Sequence, residues 1–427
     1  MKSILHYSKI ALAIVFLSLI QSGCLKEDCE KTVPYKLYIP VYTSLEVIRA
    51  SVNTDYPKEI TDNGKIYLYG KYIFLNEIGK GIHVIDNTDP SAPKNLSFIN
   101  IPGNTDLAIK DNILYADSYI DLVALDIHDP LHAKEVNRIQ AAFPYASYNY
   151  GMVSSDQGVI TSFKTKDTII HYSCKQQDRG TVFFDAPGNF LAVSSSSSVQ
   201  SSQVVGQAGS MATFGLLNGH LYTMNTYRIT SFDLKQAANP QKRKVSNLRI
   251  AGETLFPYKN YLFIGGTTGM DIFDVSNPDT AVFKTTYQHL RSCDPVIVEN
   301  DLAYVTLRGG AACNMNATNV LEVIDVKDPV NPQLLKSYEM KSPYGLGLAN
   351  NKLVICENLN GLRLLDAKDP LDIKTVNTLT NIKTTDVIHT GNDNILLVGE
   401  NALYQFQISD MQNPKLLSKI SFMPKSL

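Results

Sequence analysis

The 427-residue sequence contains no tryptophan and only six cysteines, none of them in a Cys-x-x-Cys spacing. The first absence excludes repeat signatures built on a Trp-Asp dipeptide, and the second argues against a zinc ribbon or a dithiol redox centre. An excess of one charge is also missing: 39 basic against 41 acidic residues leave a formal net charge of −2. No basic field exists to attract nucleic acid or an anionic lipid surface. Gly-x-Ser-x-Gly, His-Glu-x-x-His and glycine-rich phosphate loops are absent too. Nucleophilic, zinc-hydrolytic and nucleotide-binding chemistries therefore have no motif here, and neither a cofactor nor a metal centre is implied.

What is present begins with a short apolar stretch, Ile10 to Ile20, interrupted by Ser18 and preceded by Lys2 and Lys9. It is too short to span a bilayer and has the layout of a secretory signal. Its end, Gln21-Ser22-Gly23-Cys24, resembles the lipobox of bacterial lipoproteins, with Gln21 where the pattern has an aliphatic residue. The resemblance implies removal of residues 1–23 and lipidation of Cys24, with each buried methylene adding about 0.8 kcal/mol of membrane affinity. Ordinary cleavage and release is the alternative. Leu25-Lys26-Glu27-Asp28 resembles the surface-export signal of Bacteroidota-type lipoproteins. That implies an outer-membrane location, lipid-anchored and surface-exposed in preference to periplasmic-facing, and the alternative is a solvated charged tether.

The strongest internal pattern is an apolar strand ending in Asp, followed by an Asp/Asn-Pro turn. It reads Ile82-His-Val-Ile-Asp86 before Asp89-Pro90 and returns at Asp126, Asp274, Asp325 and Asp366, with looser copies at Asp233 and Asp410. The prolines at 90, 130, 240, 278, 329, 370 and 414 are spaced by 40, 110, 38, 51, 41 and 44 residues. That is the period of a propeller blade. Each turn leads into alternating strands joined by Asn- or Gly-containing turns, which accept positive φ, so each unit reads as a four-stranded meander. One meander cannot bury both faces, whereas a closed ring of them can.

The expected fold is thus all-β: a single β-propeller of four-stranded antiparallel blades over residues 61–427. The 110-residue gap contains strand sets at Gly151–Tyr172 and Met211–Leu234, which favours eight blades over seven. An insertion is expected near 174–210. Residues 24–42 read as a polar tether, and 43–60 as a lead-in with a short N-terminal helix over Thr43–Val52 capped by Ser44. The strand Ile-His-Val-Ile-Asp86 and its copies resemble the LVIVD repeat, and Lys65–Glu77 leading into it is similar to outer-membrane lipoproteins of that family. The resemblance implies a propeller and little about activity.

In such a ring, the loops entering the innermost strand and those joining the second and third strands line one face around the channel. By register, that face collects Glu77, Asp106, Asp117, Tyr119, Glu253, Asp294, Arg308, Tyr344, Glu357, Asn358, Asp386 and Glu400. Crowded carboxylates suit a bound cation, a basic partner or general-acid chemistry. The plainer alternative is that each acid ties a turn. Cys293 and Cys313 fall in loops on this face and are expected to pair, the alternative being two free thiols. Cys29, Cys174 and Cys356 are left over, and Cys356 sits in an apolar run. The Asp-Pro turns fall on the opposite face as architecture, because Asp accepts backbone bonds and Pro fixes φ. The leading expectation is a lipid-anchored binding protein presenting its channel face to a glycan, peptide or partner envelope protein. Its rival is a carbohydrate-active hydrolase or lyase using two of these carboxylates.

Overall fold

The computed structural model describes residues 30–62, 64–143, 147–148, 151–152, 157–173, 195–196, 207–289, 295–309 and 319–423. Two units are distinguished. In the smaller, the described residues form a two-stranded ribbon of Glu30–Thr43 with Val159–Ser173. The larger holds the repeats as four-stranded antiparallel sheets, each running strand to neighbouring strand in chain order.

Seven such blades are present among the described residues, not eight. Blade 1 runs from Ile66 to Asn100, blade 2 from Leu107 to Ile139 and blade 3 from Phe214 to Asn247. Blade 4 spans Gly252 to Gln288, blade 5 Val296 to Glu339, blade 6 Leu346 to Leu379 and blade 7 Thr384 to Ser421. The extra strand set between blades 2 and 3 is not a blade because its long strand, Val159–Ser173, takes its partner from the N-terminal segment. For the same reason, the residues read as a tether are largely a strand. The helical turns after it cover Leu45–Ala50, less than the Thr43–Val52 stretch expected. Ser44 caps them, and Arg49 holds Asp121 of blade 2 at 2.7 Å.

Each blade is sandwiched between two others, so its central strands are buried on both faces and lose the polar-apolar alternation of a half-exposed sheet. Gly81–Asp86 and Asp121–Asp126 are buried along all but their last residue, whereas the outermost strand Gln333–Glu339 is almost wholly exposed. First strands of successive blades pack side by side and so surround the axis. Among the described residues, no strand is exchanged between the first and last blades. The ring closes instead on an apolar seam in which Ile66, Ile73 and Leu75 meet Ile388, Leu396 and Phe422. Met423 N donates to Ile60 O at 2.8 Å beside it.

The repeated aspartates act as expected of turn residues. Asp86, Asp126, Asp233, Asp274, Asp325 and Asp366 each accept the N–H two residues on, at 2.7–3.0 Å. In blade 7 the strand-end position is Gln407, paired with Asn394 as Asp86 is with Tyr72. Asp410 corresponds to Asp89, so the sequence alignment of that copy slips by three residues. A bulge interrupts the third-to-fourth strand pairing in all seven blades, adding local twist to the outer strand.

Gly361 closes the second-to-third hairpin of blade 6 at φ +95, where a Cβ would lie 2.0 Å from Leu379 O. Gly361→Ala should destabilise the ring by about 2 kcal/mol or more, read from the midpoint of chemical unfolding.

Candidate functional site

The channel that was expected to hold a ligand is threaded by the protein's own chain. Gln207–Ser210 forms a short strand paired antiparallel with Ile66–Tyr69, Gln207 opposite Leu68 and Ala208 opposite Tyr67. The other edge of Ile66–Tyr69 is occupied by the second strand of blade 1, so this axial strand uses the edge that faces the centre. It packs against the first strands of blades 6 and 7 as well. The residues after it reach further round the ring. Leu255 N of blade 4 donates to Ala212 O at 2.9 Å, and Thr213 hydrogen-bonds through Oγ1, 2.9 Å from Asp106 Oδ2 at the entry to blade 2. Ser210, Met211 and Ala212 are buried. The region read from sequence as an insertion therefore ends inside the ring.

Around this strand the predicted acids are engaged one by one. Asp106 forms a buried ion pair with Lys65 at 2.8 Å and accepts from Phe214 N at 3.1 Å. Asp117 accepts from Thr105 N, Thr105 Oγ1, Asp106 N and Asn104 Nδ2 at 2.6–3.0 Å. Burial raises its pKa, and those hydrogen bonds oppose the rise. Glu77 faces His83 Nε2 at 2.8 Å, Lys80 and Thr61. Burial alone would raise its pKa, but the hydrogen bonds from His83, Lys80 and Thr61 outweigh that and hold it at about 2. Glu357 is gripped by Arg363 through Nε and Nη2, each at 3.0 Å, and by Lys341 N at 2.7 Å. Glu400 is exposed and pairs with Lys383 at 2.6 Å. Such pairing uses up the negative charge that a bound cation would need.

The Arg308 guanidinium lies 3.6 Å over the ring of half-buried Tyr344. Tyr119 sits at φ 53 with its ring against Gly103. Glu253 is half-buried on the first strand of blade 4, and Asn358 occupies a left-handed turn position at φ 47. Asp294, Cys293, Cys313, Cys29, Cys174 and the lipobox cysteine Cys24 lie outside the described residues. Cys356 is a buried free thiol, its pKa pushed up by desolvation.

Asp386 differs from the other acids. It is 2 % exposed, and the axial strand covers it: Ser210 N and Oγ donate to Oδ1 at 2.9 and 3.1 Å, while Ser210 Oγ accepts from Leu346 N at 2.6 Å. Asp386 Oδ2 is buried without a hydrogen-bond partner. Desolvation raises its pKa to about 8 against the lowering effects of the Val387 and Ser210 hydrogen bonds and the Lys65 charge, so the carboxyl is protonated at neutral pH. A Cβ on Gly209 would stand 2.0 Å from Oδ2.

Sequence reasoning missed the features that remain free to meet a partner. Tyr227, 63 % exposed, and Leu359, 70 % exposed, sit in the second-to-third strand hairpins of blades 3 and 6, on the channel face. The only signal was an apolar residue inside a turn sequence. On the opposite face, His220, Asp233 and Asp279 bring their ligand atoms within 4.8 Å of one another. Arg243 already spans that group, at 2.6 Å from Asp233 and 3.2 Å from Asp279. A pocket of about 300 Å³ opens there too, between blades 1 and 7, lined by uncharged residues including Asn87, Pro90, Asn392 and Asn394.

With the ring and its face in place, comparisons with known proteins give the class. The LVIVD repeat family matches residues 62–99 and 257–289, within and beside blades 1 and 4. The protein is a β-propeller that carries LVIVD repeats. A comparison with curated sequences finds no match. Among solved structures it is similar to the periplasmic gluconolactonase PpgL of Pseudomonas aeruginosa, at 10 % identity and TM-score 0.54, covering 84 % of this chain and 96 % of that one. It is similar also to the computationally designed Ika8 protein, at 9 % identity and TM-score 0.50, covering 86 % and 91 %. At these identities the likeness is one of fold.

Asp386 and Glu77 set opposite pH dependences. Asp386, whose folded pKa is raised to about 8, favours the folded state at low pH, and that advantage is lost as pH rises from the ordinary carboxyl range through about 8. The loss is on the order of 1.4 kcal/mol per pH unit across that window. Asp386→Asn should remove this decline, so that its unfolding midpoint changes less than the wild type's between pH 5 and pH 9. Glu77, held at about 2, contributes stability present above the ordinary carboxyl range and lost as pH falls through about 2.

Proposed function

We propose that the protein is a lipid-anchored outer-membrane propeller, displayed on the cell surface, that binds a glycan, a peptide or a partner envelope protein across the rim of its channel face. The observation that carries this reading is the contrast on that face. The buried acids below are satisfied internally or covered by the axial strand, whereas Tyr227 and Leu359 stand out at the tips of two hairpins. Exposed aromatic and aliphatic side chains on hairpins held by a rigid ring are what an extended partner contacts, and aromatics dominate such contacts. A deep catalytic cleft would instead need a carboxylate free to meet substrate, and Asp386, the acid whose pKa suits a general acid, is sealed under Ser210. Cys24 supplies the anchor and Leu25-Lys26-Glu27-Asp28 the export signal in this reading.

The binding test pairs Tyr227→Ala with Leu359→Ser. An oligosaccharide array and a displayed peptide library screened against the wild type identify a ligand, and the double variant should then bind it at least about ten-fold more weakly. Its unfolding midpoint should stay close to wild type, because both side chains are exposed. Unchanged affinity would overturn the rim as the site. For location, Cys24→Ala should abolish incorporation of labelled fatty acid, and protease added to intact cells should release the ring. Protection from protease would overturn surface display and leave the anchor standing.

A further inference from the structure

We propose that the pocket between blades 1 and 7, on the Asp-Pro face, is a binding site for a single neutral monosaccharide. It is separate from the channel-face rim and does not depend on that rim's being a binding surface. Blade 1 contributes Asn87 from its Asp-Pro turn, blade 7 contributes Thr390, Asn392 and Asn394 around its first hairpin, and the axial strand contributes its first residue, Gln207. At about 300 Å³ the pocket is at the small end of ligand sites, suited to one ring and not to a chain.

Among the described residues that line the pocket, none carries a charge. Charged residues next to them in the chain are engaged elsewhere: Asp393 with Lys352 at 2.8 Å, Asp86 with Thr88 N at 2.9 Å, and Lys71 over the ring of Tyr72. A phosphate, a carboxylate or an amine would find no counter-charge there. Four of the lining residues are instead primary amides and a fifth is a hydroxyl, and each can both donate and accept. The hydroxyls around a sugar ring do the same, so the two sets match. Half-buried Leu68 and Pro90 supply apolar surface for the C–H face of the ring.

These amides are held in place by the fold. Gln405, on the third strand of blade 7 and 1 % exposed, reaches across the seam and donates from Nε2 to Asn87 Oδ1 at 2.7 Å and to Pro90 O at 3.1 Å. That leaves Nδ2 as the group Asn87 offers to a ligand. Asn392, at φ 50, opens the two-residue hairpin between Gly391 and Asn394, a backbone position that asparagine tolerates. Asn394 completes the set, because its Oδ1 is buried and has no hydrogen-bond partner. An unmet buried acceptor is costly, and a ligand hydroxyl supplies the donor after a small rotation of the amide. A ring bound here touches both end blades and the axial strand, so it stabilises the closed propeller by mass action.

The full chain is screened by saturation-transfer NMR against glucose, galactose, mannose and N-acetylglucosamine, with glucuronic acid and glucosamine as charged counterparts. At least one neutral sugar should bind with a Kd of about 1 mM or tighter, and at least about ten-fold more tightly than either charged ring. At about ten times its Kd it should raise the unfolding midpoint by about 2 °C. Thr390→Val removes one hydroxyl at nearly constant size, and Asn392→Asp puts a charge into the pocket while keeping a residue that accepts positive φ. Each should weaken binding at least about five-fold and leave the sugar-free unfolding midpoint near wild type. A chain carrying Tyr227→Ala and Leu359→Ser, with its rim disabled, should bind the sugar as the wild type does. Loss of binding there would assign the sugar to the rim and overturn the pocket. No saturation transfer from any neutral sugar at about 10 mM would overturn it too, as would charged rings binding equally well or affinity unchanged by both Thr390→Val and Asn392→Asp.

Discussion

The innermost strand of a propeller blade has one edge left over, and what happens at that edge governs much of this molecule. In blade 1 the edge belongs to Ile66–Tyr69 and is paired with the chain's own Gln207–Ser210. Among the described residues no strand is shared between blades 7 and 1, and side-chain packing holds the closing seam. The axial strand adds backbone pairing to blade 1 and the Ser210 bonds to Asp386 of blade 7 and Leu346 of blade 6. It thus ties the two ends of the ring from inside. Lining and latch are the same residues.

That constraint explains the electrostatics. A channel filled by backbone leaves little water to solvate a carboxylate, so each acid must be paired, hydrogen-bonded or protonated. All three solutions are used. Asp106 is paired with Lys65, Asp117 is surrounded by N–H and O–H donors, and Asp386 keeps its proton. Asp106, Asp117 and Glu357 thereby act as structural ties, and the proposed binding reading places recognition further out, at the hairpin tips that carry Tyr227 and Leu359.

Much of the ring was legible because the repeat is local. An apolar strand, an Asp that accepts the N–H two residues ahead and a proline that fixes φ lie within ten residues of one another, so their spacing survives in the sequence. Local patterns fail where a partner comes from far away. Val159–Ser173 has the composition of a blade strand and was counted with a blade, yet its partner is Glu30–Thr43, more than a hundred residues earlier. The same limit hid the axial strand. Gln207-Ala208-Gly209-Ser210 follows a serine-rich stretch and carries no apolar row, since its fit depends on small side chains against Asp386 and not on hydrophobic pattern.

The sequence by itself determined the propeller class, the turn chemistry of the Asp-Pro face and the face on which Glu77, Asp106, Asp117, Glu357 and Asp386 gather. These follow from strand period and hairpin length, which act between neighbours in the chain. Only the tertiary structure decided that the described blades number seven, that the channel is occupied and that Asp106, Asp117 and Glu357 are held by the protein's own donors. Those outcomes depend on which distant segment reaches an open strand edge or a buried carboxyl first, and no spacing along the chain encodes that competition.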